Sequence, residues 1–400
     1  MSRRILIATV CIALLSLLTG CWNRRELNTL AIQLGTGIDK VGDQYRISVQ
    51  VVDPGQVAAA RSVSPERSPV VMYKSTASTL LSAYRSLTET SPRKIYGAHI
   101  RVLILGESLA RDGISKVLDL LSRDAEIRTD FYIMIARGTT AEKILKVLTP
   151  LEKIPANKLF SSLDVSEKVW APTTTFTLDQ LISQMVVAGQ NPVLTGIKIK
   201  GDPDKGESQI NVKEIDPPAR LSLSGLAVFK GPRMVGWLDQ AESKGYNIIM
   251  DNVKSSAANI SCPDGGNIAL EIMRSKTKVK GKVVNGEPRI LVHVKTEANV
   301  GEVNCTIDMN DPETIKWLEK EGARTGIGLM EKSVQTAQSR YSSDIFGFGQ
   351  AIYRSHPKYW ESIQKEWTER FKRLQVDYKV DYIVRKIGTT DNSFIQDVKG

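Results

Sequence analysis

From Leu30 onward, short apolar runs ending in glycine or proline alternate with stretches of helical periodicity. This alternation restricts the chain most, because it argues for strands interleaved with helices and gives the first half an α/β reading. Tyr45, Ile47, Val49 and Val51 alternate with Arg46, Ser48 and Gln50, the period of a strand with one wet face, closed by Asp53-Pro54-Gly55. The segment from Ala58 to Pro69 is rich in Ser, Pro and Arg and reads as an exposed loop. Leu80, Leu81, Tyr84 and Leu87 share a helical face, and Ile100 to Leu105 is apolar enough for a central strand. Ile114, Val117, Leu118 and Leu121 predict a second helix, and Phe131 to Ala136 another buried strand. Thr139 with Glu142 forms a capping box ahead of a third helix, which completes a β-α-β-α-β-α order.

A further helix starts at Thr177, capped with Gln180, and stops at Gln190-Asn191-Pro192. The polar stretch between Lys200 and Arg220 marks a boundary. Beyond it, Leu221 to Phe229, Ile268 to Met273 and Ile290 to Val294 read as strands, with Asn285-Gly286 a hairpin turn. Pro312 after Asp311 opens one long amphipathic helix reaching Tyr341, and a second carries Tyr353, Tyr359, Trp360, Ile363 and Trp367. Alternation from Val376 to Val384 makes the last element a strand. The expected fold is therefore α+β and multidomain. A mixed α/β region spans 21–200, a linker 201–220, and a sheet-rich region with long helices and a final strand 221–390, followed by a tail at 391–400.

The N-terminus carries a separate signal. Arg3 and Arg4, an apolar run of fourteen residues from Ile5 to Leu18, and Thr19-Gly20 together read as a secretory signal peptide over 1–20. The run is shorter than the roughly 20 residues a membrane-spanning helix needs. Leu18-Thr19-Gly20-Cys21 looks like the lipobox of bacterial lipoproteins: the small residues fit a protease pocket and the thiol supplies a thioether sulfur. Two acyl chains on Cys21 would make anchoring stable where one alone is marginal.

With Cys11 in the signal and Cys21 lipidated, Cys262 and Cys305 remain of the four cysteines. Outside the cytoplasm the pair invites a disulfide, and two buried free thiols is the competing reading. The formal charge of +10 becomes +8 once Arg3 and Arg4 are removed, since residues 1–20 hold no acid. Such a balance suits an anionic membrane surface or acidic wall polymers. No basic run is interleaved with aromatics, so nucleic acid is not an expected partner.

Signs of catalysis are absent from the sequence. The three histidines, His99, His293 and His356, lack metal-ligand spacing, so neither a metal nor another cofactor is expected. Gly35-Thr36-Gly37, Gly326-Ile327-Gly328 and Gly347-Phe348-Gly349 lack the residues that complete a phosphate cradle. Asp39, Asp53 and Asp164 are scattered without a signature pairing them as acid and base. Trp360 and Trp367 read as core, and the chain reads as a non-enzyme.

Cys21-Trp22-Asn23-Arg24-Arg25-Glu26-Leu27-Asn28, running into LAIQLGTGIDK at Leu30 to Lys40, resembles the start of the Ger(x)C spore germination lipoproteins. The likeness continues in Ser224 to Lys230, Val235-Gly236-Trp237-Leu238, Glu242 to Tyr246, Asp344-Ile345-Phe346-Gly347-Phe348-Gly349 and Val376 to Val380. It departs at Asn23, where the family often has aspartate. The resemblance implies the C subunit of a nutrient germinant receptor, non-catalytic, working with a membrane-embedded A subunit and a transporter-like B subunit at the spore inner membrane. About seven residues separate Cys21 from the first strand, a reach of roughly 25 Å that would hold the first domain against the membrane. The alternatives from other classes are a solute-binding lipoprotein with two doubly wound lobes and a wall-active hydrolase.

Overall fold

The computed structural model describes residues 3–5, 7, 29–53, 68–170 and 172–386. The lipobox, most of the 58–69 loop and the 391–400 tail lie outside the described residues. The first sheet comprises β1 (Leu30–Val41), β2 (Gln44–Val52), β3 (Val70–Ala77), β4 (Lys94–Tyr96), β5 (Val102–Gly106), β6 (Tyr132–Ala136), β7 (Val193–Gly201), β8 (Ala219–Lys230) and β9 (Arg233–Leu238). Its order is β3-β2-β1-β5-β6-β7-β8-β9, with β4 beside β1. Neighbours from β1 through β5 and β6 to β7 are parallel, while β2–β3 and β8–β9 add antiparallel edges.

Parallel strands are covered on both faces and so need apolar side chains throughout. All five residues of β5, Val-Leu-Ile-Leu-Gly, are buried. Alternate residues divide between two cores: Leu103, Leu105, Ile133 and Ile135 join Val117, Leu121, Leu178 and Leu181 of the Ser115–Arg123 and Leu178–Val186 helices. Val102, Ile104 and Met134 join Ile144, Leu159 and Leu163 of the Ala141–Lys146 and Pro155–Val169 helices.

That second layer corrects the wet face expected for β2. Ser48 and Gln50 are buried beneath it. Gln50 Nε2 donates to Leu145 O (2.9 Å) and Gln50 Oε1 accepts from Ala156 N (3.0 Å). The cap of the 141–146 helix sits one residue beyond the expected Thr139: Thr140 Oγ1 accepts from Lys143 N, and Asp39 at the end of β1 accepts from Ala141 N (2.8 Å) and Glu142 N (3.0 Å). Glu142 is thereby released to pair with Arg46 and Lys74. Leu81 is exposed, the buried face of its helix being Leu80 and Ala83. The Thr177–Gln180 capping box is present as expected.

Residues 201–220, expected as a linker, connect two neighbouring strands of the first sheet. β7 and β8 pair antiparallel from Val193↔Val228 to Gly201↔Ala219. The intervening residues are polar because side-chain hydrogen bonds hold them: Asp202 accepts from Asp204 N and Lys205 N. Buried Asn211 donates to Leu148 O and accepts from Ala219 N. Regions of the sequence on either side of the expected boundary thus share one sheet.

The second sheet, in order, is β10 (Ser256–Ser261), β11 (Asn267–Val284), β12 (Glu287–Val303) and β13 (Gln375–Lys386). β10 to β12 form an antiparallel meander and β13 lies parallel to β12. Asn285 and Gly286 both take positive φ (51° and 81°), which a two-residue hairpin of type I′ requires. The Pro312–Gln335 helix, capped by Asp311 Oδ1 on Glu313 N, continues as a π-helical turn over Thr336–Tyr341. The second long helix expected beyond it is broken. Pro357, which lacks an N–H, starts a new helix (Pro357–Ile363) after Phe348–Ser355.

One hydrophobic cluster runs from the first sheet (Phe229, Met234, Leu238) to the second (Ile290, Val292, Val294). Tyr341 Oη donates to Trp237 O (2.7 Å) and accepts from Trp237 N (3.1 Å), and Ser343 Oγ donates to Phe229 O (2.6 Å).

Candidate interaction site

The segment Asp344-Ile345-Phe346-Gly347-Phe348-Gly349 sits where the C-terminal helices meet the first sheet. Asp344 is 3 % exposed. Its Oδ1 accepts from Phe346 N and Phe348 N (3.1 Å each), and its Oδ2 from Gly349 N and Trp367 Nε1 (2.9 Å each). Its backbone carbonyl takes Asn191 N at 2.7 Å. Burial outweighs the four donors and pushes the Asp344 carboxyl up to about 6. Gly349 is required by close approach, since a Cβ there would fall 2.6 Å from the Trp360 ring and 2.8 Å from Gly189. Trp360 and Trp367 are both buried, edge to face at 5.1 Å. This motif is a structural node that fixes the helices on the sheet.

The residues singled out in the sequence do not converge. Cys21 lies outside the described residues. Cys262 and Cys305 are brought together with Cα atoms 6.5 Å apart and a disulfide between them, at one end of the second sheet. His99 ends a short helical turn before β5, and His356 is the residue at the helix break. His293 Nε2 is 2.7 Å from Asp381 Oδ2 on the open face of the second sheet. Asp39 is engaged as a helix cap and Asp164 pairs with Lys168 at 2.6 Å. Among the described residues no three His, Cys, Asp or Glu side chains group as metal ligands. No described helix is long and apolar enough to cross a membrane.

What the structure does assemble is a charged surface. Arg274, Lys276, Lys278, Lys280 and Lys282 of β11 are all exposed, on the face opposite the core. Register sets Lys276 against Lys295 and Lys282 against Arg289 on β12. Directly opposed like charges destabilise a sheet pair. Asp251 relieves one by pairing with Lys276, and Glu297 pairs with Arg385 of β13 at 3.1 Å. β10 covers β11 only over residues 267–272, so the rest is an edge strand, where lysine blocks pairing with another chain. Edge protection accounts for the residue type, and the surface it leaves is a cationic sheet face. The period-two spacing of RSKTKVKGK was visible in the sequence, but a strand ended at Met273 left it out.

Comparison with known proteins adds what the geometry alone does not carry. Residues 23–199 match a family model described as the spore germination protein N-terminal domain, and residues 224–388 match one described as Spore germination B3/GerAC like, C-terminal. The chain is 31 % identical over 405 residues to spore germination protein KC of Bacillus subtilis (strain 168), covering 98 % of each. It is 26 % identical to spore germination protein B3 of the same organism over 93 % of this chain and 95 % of that one. The crystal structure of the GerBC protein shares the fold, with a TM-score of 0.53, 21 % identity, and coverage of 88 % of this chain and 96 % of that one.

Proposed function

The chain belongs to the Ger(x)C family of spore germination proteins, and from that premise we propose that it is a lipid-anchored, non-catalytic subunit of a nutrient germinant receptor at the outer face of the spore inner membrane. The observation that carries this reading is the position of Cys21. It follows a basic and apolar leader with a lipobox, and stands two residues ahead of the family-matched region. Anchored there, the protein is confined to the plane of its partners, which raises its effective concentration for them without new contacts. Those partners are the A and B subunits, both membrane proteins. The cationic face of the second sheet suits a surface of anionic lipids, toward which each lysine near the membrane contributes ~1 kcal/mol.

The solute-binding alternative calls for two doubly wound lobes. The second sheet, an antiparallel meander with one parallel edge strand, lacks that topology.

Cys21→Ala in spores tests the proposal. The protein is expected to leave the inner-membrane fraction, and the nutrient response to fall at least tenfold while germination by a receptor-independent route is unchanged. Retention of Cys21→Ala in the alkali-washed membrane fraction would refute the lipid anchor.

A further inference from the structure

β9 pairs with β8 only from Leu226 to Lys230, so residues 219–225 have β7 along one side and, among the described residues, no strand along the other. The β7–β8 ladder fixes which peptide groups face that open side. Asp202 N donates to Pro218 O, and in an antiparallel pair the hydrogen-bonded positions recur at every second residue. Arg220 and Ser222 therefore face β7, and Ala219, Leu221 and Leu223 face outward. Side-chain partners agree with this parity: Asn211 Oδ1 accepts from Ala219 N (2.9 Å), and Lys158 Nζ donates to Leu221 O (2.8 Å). The N–H groups of Leu221 and Leu223 have no partner among the described residues. Unpaired backbone groups on a strand edge are a template for a further strand. Residues 221–225 line, in succession, a groove of about 630 Å³ that runs beside the Pro155–Val169 helix.

Charge sets the kind of strand that fits. Arg137, Lys158, Lys198 and Lys200 all line the groove. Two of them reach carbonyls and no carboxylate: Lys158 meets Leu221 O, and Arg137 Nη1 lies 3.4 Å from Ser224 O with its guanidinium 4.6 Å over the Trp237 ring. A carbonyl accepts a hydrogen bond but leaves the charge in place. Lys198 and Lys200 make no ion pair among the described residues. Asp239, the one carboxylate among the described lining residues, already caps the Gln240–Ile249 helix and pairs with Lys332. The two faces of the sheet also differ here. Lys198 and Lys200 project from one, while Leu221 and Leu223 pack with the apolar core on the other.

We propose that the open side of β8 receives an extended segment of a partner protein as an added strand, its acidic side chains on the Lys198–Lys200 face alternating with apolar ones on the Leu221–Leu223 face. Its carbonyls accept from Leu221 N and Leu223 N, and one of its N–H groups replaces the Lys158 ammonium at Leu221 O. Main-chain bonds supply the affinity in such an arrangement, and alternate side chains the selectivity. The proposal rests on the reading of the chain as a subunit that acts by contact, and it names the chemistry of one contact.

Fluorescence anisotropy of a labelled eight-residue peptide of alternating glutamate and valine, titrated with the full chain in a non-ionic detergent, tests this. Saturable binding is expected, with a peptide of alternating lysine and valine bound on the order of tenfold more weakly. Successive residues of a strand turn their N–H groups to opposite sides, so methylating the valine nitrogens or the glutamate nitrogens blocks opposite edges. One methylated peptide should lose binding and the other keep it. Hydrogen exchange within residues 219–225 should slow when the unmodified peptide is added. Lys198→Glu combined with Lys200→Glu should weaken binding on the order of tenfold and leave the melting temperature unchanged. Absence of saturable binding would overturn the proposal, as would equal affinity of the two methylated peptides, which marks charge attraction without strand addition. The assay contains no other spore component, so its failure leaves the receptor reading intact.

Discussion

Asp344→Ala is expected to lower the free energy of unfolding by about 4 kcal/mol. The substitution strands four buried donors, the N–H groups of Phe346, Phe348 and Gly349 and the indole of Trp367. Each unmade bond costs ~1–3 kcal/mol, and local relaxation returns part of the sum. The same site gives a pH signature. Its carboxyl is raised from 3.8 to about 6, so the fold favours the protonated form. The contribution from this group is fully present below 3.8 and is lost as pH rises through about 6. Urea denaturation across pH should therefore show the stability of the native chain relative to Asp344→Asn declining between those values and levelling above. A flat difference would mean that the four donors cancel the effect of burial, and one that rises with pH that they outweigh it.

Cys305→Ser is expected to cost about as much, ~4 kcal/mol, by freeing a loop whose ends are separated by 43 residues. Cys262 is 8 % exposed and packs with Ile260, Ile268, Leu270 and Met309 in a small satellite core. Cys262 N donates to Gly266 O and Asn304 N to Asn267 O, so the cross-link closes the open end of the β10–β12 meander. A core of that size holds few apolar groups, and a covalent tie contributes a correspondingly large share. Intact mass before and after reduction, with denaturant melts of both forms, measures the effect. Two thiols that alkylate without reduction would exclude the bond.

Elements marked by local chemistry were legible in the sequence. The Asn285-Gly286 turn, the Asp311-Pro312 helix start, the Thr177–Gln180 box and the apolar β5 and β6 each follow from a few neighbouring residues. What was not legible depends on distant packing. Gln50 reads as solvent-facing until the Pro155–Val169 helix is laid over it, and the helix cap supplied by Asp39 comes from about a hundred residues away. Polar residues 201–220 look like a linker because hydrogen bonds through Asp202 and Asn211 replace apolar contacts there. β3 and β9, edge strands with mixed burial, gave too weak a period to stand out. The block from Asp344 to Gly349, by contrast, stands out in the sequence, and in the structure it satisfies several close contacts at once.

The central claim, membership in a membrane receptor assembly, is tested most directly by affinity capture of a C-terminally tagged chain from crosslinked spore inner membranes, followed by mass spectrometry. Recovery of two membrane proteins resembling the A and B subunits, at levels that fall with Cys21→Ala, is the predicted result. Recovery of a permease and its ATPase in their place would contradict the receptor reading and favour the solute-binding one.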